Sequence, residues 1–247
     1  MFNNYTDREF LVVSDIDNTL VGDGKGLEVL SKVIEPIRSK IVLAYNSGRS
    51  TASQRQSLHL HRFLPNPDFL IGNIGTEIEH FVSGAIDTTR DSQIINWDRE
   101  KLKTTVDKLG FTIQPEKFQS NKKLSYYAEN SPNPINELEM AIHRENLDAE
   151  IVYSSNRDLD LLPKGFNKGS AVKYLQSRID IDNSKVIVAG DSKNDLSMFK
   201  FHYKGIVVNN ATDGLKKAVD PKTAYFSQFP FAHGVVDGLY WWKVLKK

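Results

Sequence analysis

Four short stretches of the chain concentrate residues able to handle charge: "DIDNT" (15–19), "NSGRS" (46–50), "NKG" (167–169) and "GDSKND" (190–195). In the first, Asp15 and Asp17 are one residue apart, so on extended backbone they share a face, where two like charges repel unless a cation or a shared proton intervenes. The fourth repeats the pattern, with Asp191 and Asp195 following another apolar run. Two strand ends bearing acid pairs gather up to four carboxylates, at a Coulombic cost that a hard divalent ion relieves, and Mg2+ suits such an all-oxygen set. The same acids also suit turns and helix caps. "DIDNT" begins like an EF-hand calcium loop but carries Leu20 where the sixth position needs glycine. Ser47 and Gly48 offer a hydroxyl and backbone N–H groups at a helix start, which favours an anion. Lys168 stands at the entry of a later helix, where a lysine is ordinarily a solvated surface group.

The elements around these stretches decide whether they meet. Segments "FLVVS", "GLEVLSKVIEPIRSK", "KIVLAY", "TASQRQSLHLHRFL" and "DFLIGN" alternate strand and helix patterns, which predicts a parallel sheet covered by helices. The same grammar returns in "NKGSAVKYLQSRI", "KVIVAG", "DLSMFKF" and "KGIVV". Continuous apolar runs ahead of Asp15 and Asp191 imply strands buried on both faces, with the acids at their carboxyl ends, where open α/β sheets bind ligands. Between the two halves the texture changes. A hairpin at "EIEHFVSGAIDTT", half-polar strands such as "KLSYYAE" and "AEIVYSS", and amphipathic helices around residues 97–109 and 136–147 predict an α+β insert. The expected division is a core of residues 1–78 and 164–247 with a compact cap at 79–163. "YWW" near the carboxyl end is expected to pack a closing helix on the core.

Composition narrows the classes. The 247 residues are 40% apolar and 26% charged, ordinary for a folded globular protein. Lysine and arginine total 32 against 31 acids, so no overall field favours nucleic acid or a membrane, and an anionic ligand must be caught locally. The absence of cysteine excludes disulfides, thiolate metal sites and a cysteine nucleophile. Neither a signal peptide nor a membrane span is read, and a cytoplasmic monomer is expected.

Taken together, "DIDNT", "NSGR", "NKG" and "GDSKND" resemble, in order, the motifs of the haloacid dehalogenase superfamily, and the insert resembles the cap of its Cof-type (C2B) branch. The resemblance narrows to the sucrose-phosphate phosphatase family through "DIDNTLVGD", "AYNSGRS", "IGTEI", "KLSYY" and "YSSNRDLDLLP". Asn46 and Ser47 depart from the small residue and threonine common there. The resemblance implies a Rossmann-like core and a Mg2+-dependent phosphatase working through an aspartyl phosphate. It implies Asp15 as nucleophile, Asp17 as acid and base, and Lys168 as a catalytic residue that binds phosphate oxygens. The metal ligands it implies are Asp15, Asp17, Asp191 and Asp195, with Ser47, Gly48, Lys168 and Asn194 on the phosphate. Sugar selectivity is expected from Arg49, Ser50 and Glu77 beside the core motifs and from Lys123, Tyr126, Arg157 and Asp158 in the cap. The implied substrate is sucrose 6-phosphate, and the alternatives are mannosylfructose, glucosylglycerate or mannosylglycerate phosphate. A sugar-binding module partnering a glycosyltransferase is the non-catalytic alternative.

Overall fold

The computed structural model describes residues 2, 5, 7–128, 135–154 and 157–246. They form two compact units, Met1–Ile86 with Lys168–Lys247, and Asp87–Asn167. The first unit opens with β1 (Phe10–Ser14), α1 (Gly24–Ile34), β2 (Ile41–Asn46), α2 (Thr51–Leu60) and β3 (Phe69–Gly72), then adds β4 (Glu77–His80) and β5 (Ala85–Ile86). The second holds α3 (Arg99–Asp107), β6 (Thr112–Ile113), β7 (Leu124–Tyr127), α4 (Ile135–Arg144), β8 (Glu150–Ser154) and β9 (Asp158–Leu162). The chain returns to the first as α5 (Lys168–Ile179), β10 (Val186–Gly190), a 3-10 segment (Lys193–Phe201), β11 (Lys204–Val207), α6 (Asp213–Ala218), β12 (Ala224–Phe226) and α7 (Phe231–Trp241).

The large sheet runs β12-β11-β10-β1-β2-β3-β4-β5. From β12 to β3 its strands are parallel. Their apolar residues are buried on both faces, as strands between helix layers must be. In register, Ser14 lies opposite Ala189 of β10 and Tyr45 of β2. Three strands therefore end side by side, and the residues that follow each of them emerge at one edge. Early strands extend from β1 in one direction and late strands in the other, which makes that edge a switch point where such sheets bind ligands.

The hairpin assigned from sequence to the insert belongs instead to the large sheet. β4 pairs antiparallel with β3, Gly72 opposite Glu77, and β5 pairs with β4. There the hairpin covers the otherwise open edge of β3 and buries Ile78 in the core. The insert accordingly runs from Asp87 to Asn167 in place of 79–163.

In the second unit an antiparallel sheet, β6-β7-β9-β8, carries the other core. Leu124, Tyr126, Leu159 and Leu161 alternate onto one face and meet Leu102 and Val106 of α3 and Leu138 and Ile142 of α4. At ~1.5–3 kcal/mol for each large apolar side chain buried, that face accounts for the unit's own cohesion. Ser125, Asp158 and Asp160, in the opposite phase, lie on the other face. In the first unit, α7 closes the core through Ala232, Val235, Val236 and Leu239. Of the two tryptophans of "YWW", Trp242 is partly buried and donates to Gly205 O, while Trp241 stays 61% exposed and stacks on Tyr225. No helix of the described residues is long and apolar enough to cross a membrane.

Candidate active site

Asp15 is the first residue beyond β1, and its N–H donates to Ala189 O of β10, which pins it at the sheet edge. Its side chain is buried, with Oδ1 accepting from Lys168 Nζ at 2.7 Å and Oδ2 from Thr19 Oγ1 at 3.3 Å. The backbone then turns sharply. Asn18 takes a left-handed φ of 60° and Asp17 bridges to Val21, which folds Thr19 back beneath the acids. The Thr19 hydroxyl also reaches Asp191 Oδ1 at 3.0 Å, so one side chain spans the ends of β1 and β10.

Lys168 opens α5 with no exposed surface, and its Nζ lies 2.7 Å from both Asp15 Oδ1 and Asp195 Oδ1. Two contacts set that helix start. Asn46 Nδ2 donates to Lys168 O at 3.0 Å. Gly169 packs so closely on the 3-10 segment that a Cβ there would fall 2.1 Å from Ser197 O. Asp195 closes a capping box with Ser192, its Oδ2 accepting from the N–H groups of Asp191 and Ser192, both at 3.0 Å. A Cβ on Gly190 would lie 2.5 Å from that of Asp195, so only glycine at the end of β10 lets this carboxylate approach.

Asp15, Asp191 and Asp195 each bring an oxygen within 4.8 Å of the others. Burial pushes the Asp15 carboxyl well above the ordinary carboxylate range; Lys168 pulls it back, and Asp195 and Asp191 add to the rise. Asp191 is raised by burial and then by Asp195. For Lys168 burial alone acts downward, yet Asp15 and Asp195 outweigh it and hold the ammonium above its usual value. One ammonium does not balance three carboxylates, and every donor is a hard oxygen. That donor set fits a divalent cation of the Mg2+ class.

Ser47, the residue after β2, is buried, and its Oγ accepts from Arg49 N at 3.1 Å. Gly48 beside it is half-buried. Ser50 is the N-cap of α2, accepting from Ser53 N. Arg49 turns back toward Asp17, Nη2 to Oδ1 at 2.5 Å. Glu77 accepts from Thr51 Oγ1 at 2.9 Å and Asn73 Nδ2 at 2.8 Å, which ties β4 to the start of α2. Asn194 is half-buried, with its Oδ1 accepting from Ser192 Oγ.

In the second unit, Tyr126 requires a correction. It is wholly buried in that unit's hydrophobic core, with its hydroxyl donating to Asp107 Oδ1, and so offers no surface to a sugar. Lys123 is buried, its Nζ 3.9 Å from Asp160 Oδ1. Arg157 pairs with Asp158 at 3.1 Å, and Asp158 also accepts from Gln114 Nε2. Ser155 and Asn156 of "YSSNRDLDLLP" lie outside the described residues. Sequence reasoning missed the contact of Asn46 with Lys168, the ion pair of Arg49 with Asp17, and the place of Asp160 and Ser125 beside Lys123. Only the first had a signal, in the departure of Asn46 from the small residue common at its position.

The chain matches the sucrose-6F-phosphate phosphohydrolase family over residues 8–243. Mannosylfructose-phosphate phosphatase of Agrobacterium fabrum is 33% identical over 241 residues, covering 94% of this chain and 96% of its own length. Sucrose-phosphatase 2 of Nicotiana tabacum is 30% identical over 218 residues; the match takes in 83% of this chain but 51% of that enzyme, so the chain spans about half its length. A solved sucrose-phosphatase from Synechocystis, in complex with sucrose and phosphate, superposes with a TM-score of 0.89 at 30% identity over 96% of this chain and 98% of that one.

Proposed function

The chain belongs to the sucrose-6F-phosphate phosphohydrolase family, whose members are phosphoric monoester hydrolases, and we propose that it hydrolyses sucrose 6-phosphate to sucrose and phosphate with Mg2+ as cofactor. One observation carries this reading: a fully buried lysine bonded at 2.7 Å to each of two carboxylates, one of them on the first residue past the central strand. Phosphoryl transfer asks for a nucleophile, neutralisation of the phosphoryl oxygens and a proton for the leaving alkoxide. In this reading an Asp15 oxygen bonds to phosphorus as the bond from phosphorus to the sugar oxygen breaks, and Asp17 gives its proton to that oxygen. Asp17 then takes a proton from water, the water oxygen attacks phosphorus, and the bond to Asp15 breaks to release phosphate.

Lys168 holds the nucleophile in place and balances part of the charge, while Ser47 and the N–H of Gly48 receive phosphate oxygens, with Asn194 beside them. Asp15 and Asp191 would hold the cation together with the Asp17 main-chain carbonyl, and Asp195 would fix their arrangement from behind. When bound, the cation neutralises charge on the transferred group. We assign sugar selectivity to Glu77 and Ser50 and to Lys123, Arg157 and Asp158 of the second unit.

A second reading, hydrolysis of mannosylfructose phosphate, is favoured by the 33% identity to the Agrobacterium enzyme across 96% of that protein. A phosphate-release assay across sucrose 6-phosphate, mannosylfructose phosphate and the phosphates of glucosylglycerate and mannosylglycerate, with and without EDTA, decides between them. The first reading expects the largest kcat/KM on sucrose 6-phosphate and loss of release in EDTA. Preference for another panel member replaces the substrate. Binding of sugar without phosphate release from any member overturns the enzymatic reading.

A further inference from the structure

The side chain of Arg49 is built into the site in a way that the roles assigned so far leave unused. Its backbone is fixed at both ends, N–H to Ser47 Oγ at 3.1 Å and C=O from Asn73 N at 2.8 Å. Its guanidinium is stretched between two acceptors, Nη1 to Ser57 Oγ at 2.7 Å and Nη2 to Asp17 Oδ1 at 2.5 Å. Ser57 is buried on α2, so the far anchor is rigid. The ion pair is 42% and 40% exposed on its two side chains, and a pair so open contributes at most ~1 kcal/mol to stability. Holding the fold together is therefore a poor account of it.

Its geometry points to Asp17. An arginine has donors and no acceptor, so the oxygen it holds is always the unprotonated one. With Oδ1 docked on Arg49, a proton carried by Asp17 resides on Oδ2, an atom with no hydrogen-bond partner among the described residues. We infer that Arg49 is a positioning residue for proton transfer, which fixes the Asp17 carboxyl by one oxygen so that the other delivers a proton to the leaving group. This replaces the sugar-contact role expected for Arg49 from sequence, and it rests on the phosphatase reading above.

Leaving-group dependence tests it. The kcat/KM for a series of phosphate monoesters without sugar, from p-nitrophenyl phosphate to a simple alkyl phosphate, reports the first phosphoryl transfer. An acid that protonates the leaving oxygen matters little for p-nitrophenolate and greatly for an alkoxide. In Arg49→Ala the loss should widen from a few-fold on p-nitrophenyl phosphate to roughly 100-fold on the alkyl ester, within the usual contribution of a positioned acid. Arg49→Lys, which keeps a donor without an acceptor, should recover part of the slope, and Arg49→Gln, which can also accept, should recover less. In an Asp17→Asn background, Arg49→Ala should leave the slope unchanged. An equal loss at every leaving group makes Arg49 a phosphate ligand and overturns the inference, as does an unchanged wild-type slope in a folded Arg49→Ala. Wild-type protein that releases no phosphate from any ester with Mg2+ present overturns the phosphatase reading, and the inference falls with it.

Discussion

Both units bury a lysine beside carboxylates, and the two lysines are pushed in opposite directions. Lys168 in the first unit touches Asp15 and Asp195, each at 2.7 Å, and its ammonium is held above the ordinary value although burial opposes this. Lys123 in the second stands 3.9 Å from Asp160, whose Oδ1 already accepts from Ser125 Oγ at 2.5 Å; burial dominates and lowers it, with Asp160 and Asp158 pulling the other way. Residue type and depth are nearly the same. What differs is the distance to the carboxylates, 2.7 Å for Lys168 against 3.9 Å for Lys123, because Coulombic attraction offsets desolvation best when the charges meet at hydrogen-bond distance. The first cluster is a site in which a charge must stay a charge.

The largest test of that difference removes the nucleophile. Asp15→Asn keeps the shape of the side chain and one acceptor for Lys168, and it should lower turnover by roughly four orders of magnitude or more while the protein remains folded. Phosphate release together with a thermal melt measures both, and appreciable turnover in the purified variant would remove Asp15 from its role. Next comes Lys168→Met, which leaves Asp15 and Asp195 buried with no cation between them. Breaking a buried pair of this kind costs about 3–5 kcal/mol, so denaturant unfolding without metal should show a loss of that size, partly restored by Mg2+. An equal loss with and without Mg2+ would mean that the lysine, not a cation, balances the site alone.

A third test uses pH. Burial raises the Asp15 carboxyl from an ordinary 3.8 to about 8, so between those values the folded, metal-free protein binds more protons than the unfolded chain. Its stability should therefore fall as pH rises through that window, with Asp191 adding in the same direction. A bound cation favours the ionised carboxylates and flattens the dependence. Melting temperatures in EDTA and in Mg2+ from pH 5 to pH 8 check it. Parallel curves would show that these acids do not take up the metal.

How far the sequence reveals these clusters follows from the range over which each feature is encoded. The acids at the ends of β1 and β10 are legible because an apolar run, a strand end and the residues after it are contiguous. Lys168 is legible only as one motif in a series, since nothing local shows that a helix start will lie beside Asp15. The contacts of Asn46 with Lys168 and of Arg49 with Asp17 are not legible, because they join residues 122 and 32 positions apart whose side chains meet only when the parallel strands align. At the hairpin 77–86, a period of two says strand but not which sheet will take it. Tyr126 was misread for the opposite reason. It shares the phase of Leu124, and that alternation already marks it as a residue facing the core.

The smallest effect sharpens the comparison from the other side. Lys123→Met removes a charge that burial already disfavours, so the loss near neutral pH should be only about 1 kcal/mol, the scale of a single polar contact. Its pH dependence is the finer signature. With its folded value below the usual lysine range, the unfolded chain holds a proton that the folded one lacks between that value and 10.5, so Lys123 makes stability rise with pH there. The substitution should abolish that rise. At the acid end it removes the cation that opposes the burial-driven rise of Asp160, so the wild-type loss of stability as pH climbs above 3.8 should extend to higher pH. Urea unfolding of wild type and variant at pH 5, 7 and 9.5 resolves both arms. A loss near neutral pH as large as that of Lys168→Met would break the distinction, because Lys123 would then be held as a charge despite its burial and its 3.9 Å distance from Asp160.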